Sequence, residues 1–582
     1  LFSSLSVPGG SDGTPAFNPI TPPTPTGRPG DVVVQPGAQL NSEAGGDGNG
    51  GRIMLVGPNV RNEGTISTPA GQTILAAGLQ VGVAAHASTD PSLRGLDVWI
   101  GNVGDYAGTS TNSGLIDIPT GSATMAGRYV NQMGVIEGSS TVTLNGRIDL
   151  LASYGAVGNP NYDNAGTSSF GGPAFLFQRS GVVALGEQSS TRILPDYVSK
   201  KAVPGTSLPE RSQINIEGQA VHLRRGAMVL VPNGDVSVRA GIWPYVDADG
   251  NRTTLLPDGT SEVGLANYLG TVGQRFLFST GQIYFDSGSF INVAGSTDVF
   301  VPLSHSILNV EFRGSEFADS PVQRNGLLRG AQLTVDIRRT GVSNGRYWMG
   351  TPLGDVTGLA GLIERNAAQL TAAGGNVTLQ AGGSIVVQGG ATIDVSGGFF
   401  QHAGSLVKTT RLLQYGRLVD IHNAQPGQVY DGVYTGTYTR SSARWGVSET
   451  FTVPWMTGER YEQGYTQGAS GGVLQMTAAS MAMDGQLLGI TVNPPQGRAS
   501  APEHSRLTIK FAAEKTFGPA GTLTYIPTSP TPPAVTFGTA QLSPAPAFLL
   551  TGDVPRALPA TRTAQVILSP ELLGKKGFGH LT

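Results

Sequence analysis

The sequence contains no cysteine in its 582 residues. This absence excludes disulfide bonds, thiolate metal sites and a cysteine nucleophile. A long chain without cysteine is typical of a protein exported through an oxidising compartment, although a cysteine-poor genome would give the same composition. The sequence also has no apolar run of about 18 residues, so it predicts no membrane-spanning segment.

Charged residues are scarce as well. They make up 13% of the chain, and the formal net charge is −3. Nucleic acids and anionic membranes attract basic surfaces, so neither is predicted as a partner. Hydrophobic residues nevertheless reach 39%, and the 84 glycines are about twice the usual share. This composition indicates an ordered, turn-rich chain rather than a disordered one.

The clearest pattern lies in residues 374–398. Three short β-branched segments are separated by pairs of glycine, and apolar residues alternate within each segment. The alternation points one face of every segment towards a common interior, so about 24 residues describe one triangular coil. Such a coil is stable only when it is stacked on others. We therefore predict an all-β fold: a right-handed parallel β-helix (solenoid) with several extra-helical excursions and one short α-helix.

Similar patterns divide the rest of the chain. β-Helix coils are predicted at residues 50–153, 213–240, 282–295, 374–398 and 471–493, with further coils starting at 564–582. Between them we predict a Pro/Gly-rich arm at 1–49, excursions at 154–212, 241–281 and 296–373, an aromatic-rich excursion at 399–470 and a Pro-rich extended segment at 494–563. Apolar residues at helical spacing predict the α-helix at 355–373.

Asparagines recur at the corners of the predicted coils. Each is followed by a glycine and an isoleucine, and they are Asn62, Asn112, Asn131 and Asn145. Both Asn and Gly tolerate a positive φ, and stacked Asn side chains form hydrogen-bonded ladders. Two similar segments, 51–56 and 71–76, are twenty residues apart. We interpret that offset as one rung.

One short acidic segment resembles a calcium loop. Asp247, Asp249 and Asn251 place oxygen atoms at alternating positions, but Arg252 stands where such a loop requires glycine. A solvated turn is therefore favoured over a calcium site. The remaining acidic residues are scattered, so no catalytic residue, metal or cofactor is predicted.

Aromatic residues are concentrated in the 399–470 excursion. The candidates for a binding surface are Tyr430, Tyr434, Tyr438, Trp445, Trp455 and Tyr461. Exposed rings would stack on sugars or anchor a protein partner. Alternatively, the rings form the core of the excursion itself, and this second interpretation is favoured.

Several stretches resemble a known family. Residues 57–82, 90–98, 312–339, 374–398 and the region around Arg444-Trp-Gly446 are similar to the filamentous haemagglutinin-like exoproteins of two-partner secretion in Gram-negative bacteria. The resemblance covers roughly residues 50–490 and implies a β-helical shaft, exported by a dedicated outer-membrane β-barrel transporter. The family's N-terminal secretion domain carries an Asn-Pro-Asn-Gly motif. The nearest string here, Asn159-Pro-Asn-Tyr162, lacks the glycine, so we expect an internal fragment.

The resulting hypothesis is a non-enzymatic structural or adhesive shaft segment of a large secreted or cell-surface exoprotein. Its expected partners are the transporter during secretion, and host or bacterial surface glycans or proteins, or further copies of itself. Two alternatives stay open. One is a β-helical carbohydrate-active enzyme, and the other is a shaft that presents a C-terminal toxin in contact-dependent inhibition.

Overall fold

A computed structural model describes most of the chain. The described residues are 5–6, 30–45, 50–86, 94–101, 108–158, 175–242, 245–246, 252–255, 261–262, 281–297, 299–317, 320–453, 459–495, 501–512, 515–517, 523–525, 532–540, 542–574 and 577–582.

The fold is mostly β and is built on three parallel ladders. Ladder A contains Val32–Val34, Val60–Asn62, Thr109–Asn112, Tyr129–Gln132, Val182–Leu185, Ala220–Leu223, Gln282–Phe285 and the C-terminal halves of Asn376–Val387 and Val473–Met483. Ladder B contains Arg52–Gly57, Gln72–Ala77, Ser122–Ala126, Arg147–Leu151, Gln213–Gly218, Asp235–Ala240, the N-terminal halves of the same two long strands, Arg506–Phe511 and His580–Leu581. Ladder C contains Gln39–Asn41, Thr65–Ser67, Leu115–Pro119, Val135–Ser140, Ser190–Pro195, Met228–Leu230, Phe290–Asn292, Thr392–Asp394 and Gln486–Leu488.

The long strands join ladders A and B into one sheet of 17 strands, and ladder C forms a second sheet of nine strands. Inward side chains from all three ladders meet in one core. In ladder B, for example, Ile214 pairs with Ile148 and Val236, and all three are at most 2% exposed. The chain therefore has a solenoid-like arrangement in which each rung covers the apolar residues of the rung before it.

The glycine-separated pattern at residues 374–398 supplies one strand segment to each ladder. Residues 376–381 lie in ladder B, 384–387 in ladder A and 392–394 in ladder C. The register of the long strand shifts between Ala381 and Ser384, where two glycines separate the segments. The three predicted segments lie in three different ladders, but the first two form one continuous strand, Asn376–Val387, so the prediction of three strands is confirmed only in part. The twenty-residue rung is confirmed, because Arg52 pairs with Gln72.

The predicted asparagine ladder is confirmed in part. Asn62 Nδ2 donates to Asn112 Oδ1 at 2.8 Å, and Asn112 Nδ2 donates to Gln132 Oε1 at 2.8 Å. The prediction for Asn131 is wrong, because the strand register pairs Asn112 with Gln132 and leaves Asn131 opposite Thr111. Asn145 lies outside this row and donates instead to the carbonyl of Arg211.

Four predicted segments differ from the structure. The coils predicted at 50–153 are interrupted by Val81–Ala85 and Leu96–Ile100, which pair antiparallel outside the ladders. The extended segment predicted at 494–563 contains Arg506–Phe511 of ladder B. Residues 154–212 are not one excursion, because Val182–Leu185 and Ser190–Pro195 continue ladders A and C. Likewise, the predicted arm at 1–49 contributes Val32–Val34 and Gln39–Asn41 to the ladders. These strands are short and lie among proline and polar residues, so their pattern does not stand out in the sequence.

The predicted helix at 355–373 is wrong as a single element. Two short helices, Thr357–Gly361 and Ala367–Leu370, are separated by the strand Glu364–Asn366. That strand pairs with Ala202–Pro204, and Asn366 begins the second helix with a capping box that includes Gln369. A strand partner and a helix cap interrupt the helix at this point.

The remaining elements lie outside the ladders. The helices are Ala560–Thr563 and the 3₁₀ segments Leu303–Ser306, Ser315–Phe317, Pro321–Gln323, Ile421–Asn423 and Pro570–Leu573. The strands are Leu5–Ser6, Val81–Ala85, Leu96–Ile100, Ser153–Tyr154, Val157–Gly158, Phe175–Leu176, Arg179–Ser180, Ala202–Pro204, Tyr245–Val246, Arg252–Leu255, Ser261–Glu262, Val299–Pro302, Ile307–Glu311, Gln332–Asp336, Thr340–Ser343, Arg346–Met349, Glu364–Asn366, Phe399–Ala403, Ser405–Lys408, Arg411–Gln414, Arg417–Asp420, Gly432–Tyr434, Thr437–Ser442, Val447–Thr452, Glu459–Glu462, Tyr465–Gly468, Lys515–Phe517, Leu523–Tyr525, Ala534–Phe537, Leu550–Thr551, Val554–Pro555 and Gln565–Leu568.

A C-terminal strap, residues 542–562, lies along the outer face of ladder A. Tyr284 donates its hydroxyl to the carbonyl of Pro546 at 2.8 Å, and the ring centroids of His222 and Phe548 are 4.2 Å apart. At the tip of the strap, Asp553 accepts hydrogen bonds from Arg128 and Tyr129 at 2.8 and 2.9 Å. Burial, assisted by the charge of Asp286, raises the pKa of Tyr284 to about 12, so its hydroxyl stays protonated at neutral pH.

Candidate functional site

Two excursions pack together into one side domain, residues 299–356 and 399–468. They leave the ladders after Phe290–Asn292 and Thr392–Asp394, which are neighbouring strands of ladder C. The base of the side domain is a three-stranded sheet of Val299–Pro302, Phe399–Ala403 and Tyr465–Gly468. Because these two strands are neighbours in ladder C, the two excursions start from adjacent positions although they are distant in sequence.

The side domain has its own hydrophobic core. The first excursion contributes Phe312, Phe317, Leu333 and Val335, and the second contributes Leu412, Ile421 and Tyr430. All seven side chains are at most 3% exposed. Neither excursion can therefore be removed without exposing the apolar face of the other.

A buried ion network links the two excursions. Arg338 donates to Asp336 at 2.6 Å and to Glu462 at 2.9 Å, and Arg460 donates to Glu462 at 2.9 Å. Burial opposes ionisation of Glu462, but the two guanidinium groups outweigh it and hold the pKa of that carboxyl below its ordinary value. The network is therefore charged at neutral pH and fixes the position of the second excursion on the first.

The predicted aromatic residues do not form one surface. Tyr430 is 3% exposed and lies in the core, where its hydroxyl accepts from the backbone N–H of Gln425 at 2.6 Å. Tyr434 is partly buried, whereas Trp445 and Tyr461 are 73% and 66% exposed. The position of Tyr430 therefore agrees with the interpretation that the rings form the core of the excursion.

A projecting hairpin, residues 437–452, carries part of the aromatic set. Its strands are Thr437–Ser442, which contains Tyr438, and Val447–Thr452, whose residues are all exposed. Trp445 lies in the turn, with the guanidinium carbon of Arg444 5.6 Å from the centroid of its ring. Phe451 is 50% exposed. Trp455 lies outside the described residues.

The calcium candidates Asp247, Asp249 and Asn251 also lie outside the described residues. Within the part of the chain that the structure describes, no three His, Asp or Glu side chains are grouped closely enough to hold a metal ion. Over the same residues, no helix has the length and apolar character to cross a membrane.

Two cavities were not anticipated from the sequence. A cleft of about 650 Å³ lies between the strap and the last rungs, where Arg562 Nη2 donates to both carboxylate oxygens of Asp484 at 2.8 and 2.9 Å. A junction cavity of about 270 Å³ lies between the base sheet of the side domain, the hairpin at 340–349 and the segment at 363–369. The sequence offers no pattern for either, because their walls come from segments far apart in the chain.

Comparison with known proteins gives no relative: no family model, no curated protein and no solved structure matches this chain.

Proposed function

We propose that this chain is a non-enzymatic shaft segment of a large secreted or cell-surface exoprotein of the filamentous haemagglutinin-like kind. In this proposal the three ladders form a right-handed parallel β-helix. The observation that supports it is the stacking of nine strands in ladder C, with matched strands in ladders A and B, around one continuous core. Regular stacking of this kind produces a stiff rod whose role is geometric.

The rod places its side domain at a fixed distance along the shaft. Nine rungs at a spacing of about 4.8 Å make a shaft of roughly 40 Å. The side domain would then act as the adhesive element, with the projecting hairpin and its exposed Trp445 and Phe451 at the contact. Exposed aromatic residues supply contact area at a low cost in conformational entropy.

Secretion through an outer-membrane β-barrel transporter completes the proposal. The absence of cysteine removes any disulfide that would block an unfolded chain in an oxidising compartment. Rungs that stack on their predecessors outside the cell would oppose backward movement. A purified, unfolded chain should therefore refold without ATP, and failure to refold would contradict this step.

The adhesive role can be tested without damage to the side-domain core. The backbone N–H of Val453 donates to the carbonyl of Gly436 at 2.8 Å, so the hairpin can be replaced by a short turn between these residues. We expect the intact chain to bind bacterial or host cells, and the hairpin-replaced chain to lose most of that binding. Tyr415→Ala, at a side chain that is 80% exposed in another turn, is the matched control.

Two results would count against the proposal. Equal cell binding by the intact and hairpin-replaced chains would remove the hairpin as the contact. A compact particle in electron micrographs, rather than a rod with a lateral lobe, would remove the shaft itself.

A further inference from the structure

The junction cavity has a lining that is rich in cationic and neutral donors. Arg338, Arg365, His305 and His402 contribute to it, and none of its lining residues is Asp or Glu. Its floor is the base sheet of the side domain, and one wall is the segment 363–369, which contains the strand Glu364–Asn366. A cavity with this lining favours an anionic occupant.

The two arginines have different surroundings. Arg338 is neutralised by Asp336 and Glu462, as described above. Arg365 donates to the backbone carbonyls of Gly205 and Ile363, and no carboxylate within the described residues lies at ion-pair distance from it. Burial lowers the pKa of Arg365, but a guanidinium remains charged at neutral pH. The cavity therefore holds a cation whose charge the described residues do not balance.

The same cavity also presents apolar rings and neutral hydrogen-bonding groups. Tyr347 is 60% exposed and Phe400 is partly exposed. Ser306, Thr340 and Gln467 add two hydroxyls and an amide to the lining. A bare inorganic anion would use the cation and leave the rings unfilled, whereas a sugar presents hydroxyls and an apolar ring face together with any acid group it carries.

We propose that the junction cavity binds a carboxylate-bearing sugar, with Arg365 pairing with the carboxylate and Tyr347 packing against the sugar ring. Guanidinium and carboxylate groups match in a bidentate, planar geometry. The volume of about 270 Å³ lies just below the range of about 300–1,000 Å³ typical of small-molecule pockets, so the cavity accepts one sugar unit.

This site goes beyond the proposed function, because it adds a second contact at the base of the side domain, separate from the projecting hairpin. It rests on that function only for the location of the ligand on a cell surface. The site itself depends on the cavity alone, so it can be tested with free sugars in solution.

The test is calorimetric titration of the full chain with glucuronate, N-acetylneuraminate, glucose and sulfate. Glucuronate and glucose differ only in the acid group, so their comparison isolates the carboxylate. We expect at least one acidic sugar to bind about tenfold or more tightly than glucose, as a charge-assisted contact implies. Sulfate should bind more weakly than that sugar.

Two variants identify the site. Arg365→Gln should weaken binding of the acidic sugar about tenfold, whereas Arg225→Gln, at an exposed arginine on a shaft turn, should leave it unchanged. Tyr347→Ala removes an exposed ring and should also weaken binding, which keeps the test valid if Arg365→Gln disturbs folding. Circular dichroism and the melting temperature report folding in each case.

The outcomes are distinguishable. Absence of binding by both acidic sugars, equal affinity for glucuronate and glucose, or unchanged affinity in folded Arg365→Gln would each overturn the site. Sulfate that binds as tightly as the acidic sugar would overturn sugar recognition. A chain that binds an acidic sugar in solution but does not bind cells would retain this site and lose the adhesive function.

Discussion

Three stacked amide side chains show how single residues set the register of the shaft. Asn62, Asn112 and Gln132 are each 0% exposed, and each amide nitrogen reaches the next acceptor along the row. The row ends where Gln132 Nε2 donates to the carbonyl of Ser190 at 3.1 Å. The next residue in register is Leu185, so the amide row is replaced there by apolar packing. A slip of one residue would leave buried amides without partners, which fixes the register of these rungs.

Removal of the central amide should therefore be costly. Asn112→Ala leaves Gln132 Oε1 without its donor and Asn62 Nδ2 with only the carbonyl of Leu115, at 3.2 Å, as acceptor. We expect the free energy of unfolding of the shaft to fall by about 1–3 kcal/mol, measured by urea denaturation. Gln486→Ala, at an exposed position in ladder C, is the control and should change it little. Equal effects of the two substitutions would show that the amide row does not stabilise the shaft.

At low pH the side domain should be less stable, because Glu462 becomes protonated. Its pKa is lower in the folded chain because Arg338 and Arg460 outweigh the effect of burial. A carboxyl with a lowered pKa contributes stability above its unfolded pKa of about 4.3 and loses that contribution as the pH falls through the folded value. In urea titrations at a series of pH values, the stability difference between the native chain and Glu462→Gln should shrink below about pH 4.

The exposed Glu449 on the projecting hairpin supplies the control for this titration. Glu449→Gln should leave the pH dependence of the native chain unchanged. A Glu462→Gln chain with the same acid dependence as the native one would contradict the assignment to Glu462.

Among the elements, the strap differs most from what the sequence suggests. A Pro-rich extended segment was predicted at 494–563, and the strap does follow an extended path. Its contacts, however, join Asp553 to Arg128 and Pro546 to Tyr284, residues separated by 425 and 262 positions. Local patterns of alternation and turn residues hold no information about partners so distant. For the same reason the sequence indicated neither the shared core of the side domain nor the junction cavity.

Strands with strong local signals were predictable. In residues 374–398 the β-branched alternation and the glycine pairs act together, and the three segments lie where expected. The predicted helix at 355–373 failed although its apolar spacing is helical, because Ala202–Pro204 offers a strand partner to Glu364–Asn366. Tertiary pairing thus overrode a local preference.

Phe548 should hold the strap on ladder A. Its ring centroid is 4.2 Å from that of His222 and 5.5 Å from that of Tyr284. We expect Phe548→Ala to make the strap more sensitive to limited proteolysis, because the segment opens locally more often once these contacts are lost. Phe537→Ala, at a ring that is 53% exposed, is the control. Identical cleavage patterns in both variants would show that the ring does not anchor the strap.

At the scale of the whole molecule, one core runs through the shaft. It includes Val34 near the first rungs and Phe578 near the last residues. Repeat architectures gain stability from contacts between neighbouring rungs, so an interior rung has two such interfaces and a terminal rung has one.

The difference in stability between an interior rung and a terminal rung can be measured with two substitutions. Ile214→Ala, at a side chain that is 0% exposed in the middle of ladder B, should lower the free energy of unfolding by about 2–5 kcal/mol. Leu40→Ala, at a partly buried side chain in the first strand of ladder C, should have a clearly smaller effect in the same urea titration. A larger effect at Leu40 would contradict a core that is most densely packed in the interior rungs.

The strap changes how the stacked rungs unfold. A stack held only by neighbour contacts loses its rungs one at a time from an end. The strap instead joins the rung of Asp484 to the rung of Tyr129, across four intervening strands of ladder A. Within this span no rung can separate unless the strap detaches or stretches, so the rungs beneath it should yield together. Under a pulling force along the stacking direction of the ladders, we expect this span to behave as one mechanical unit.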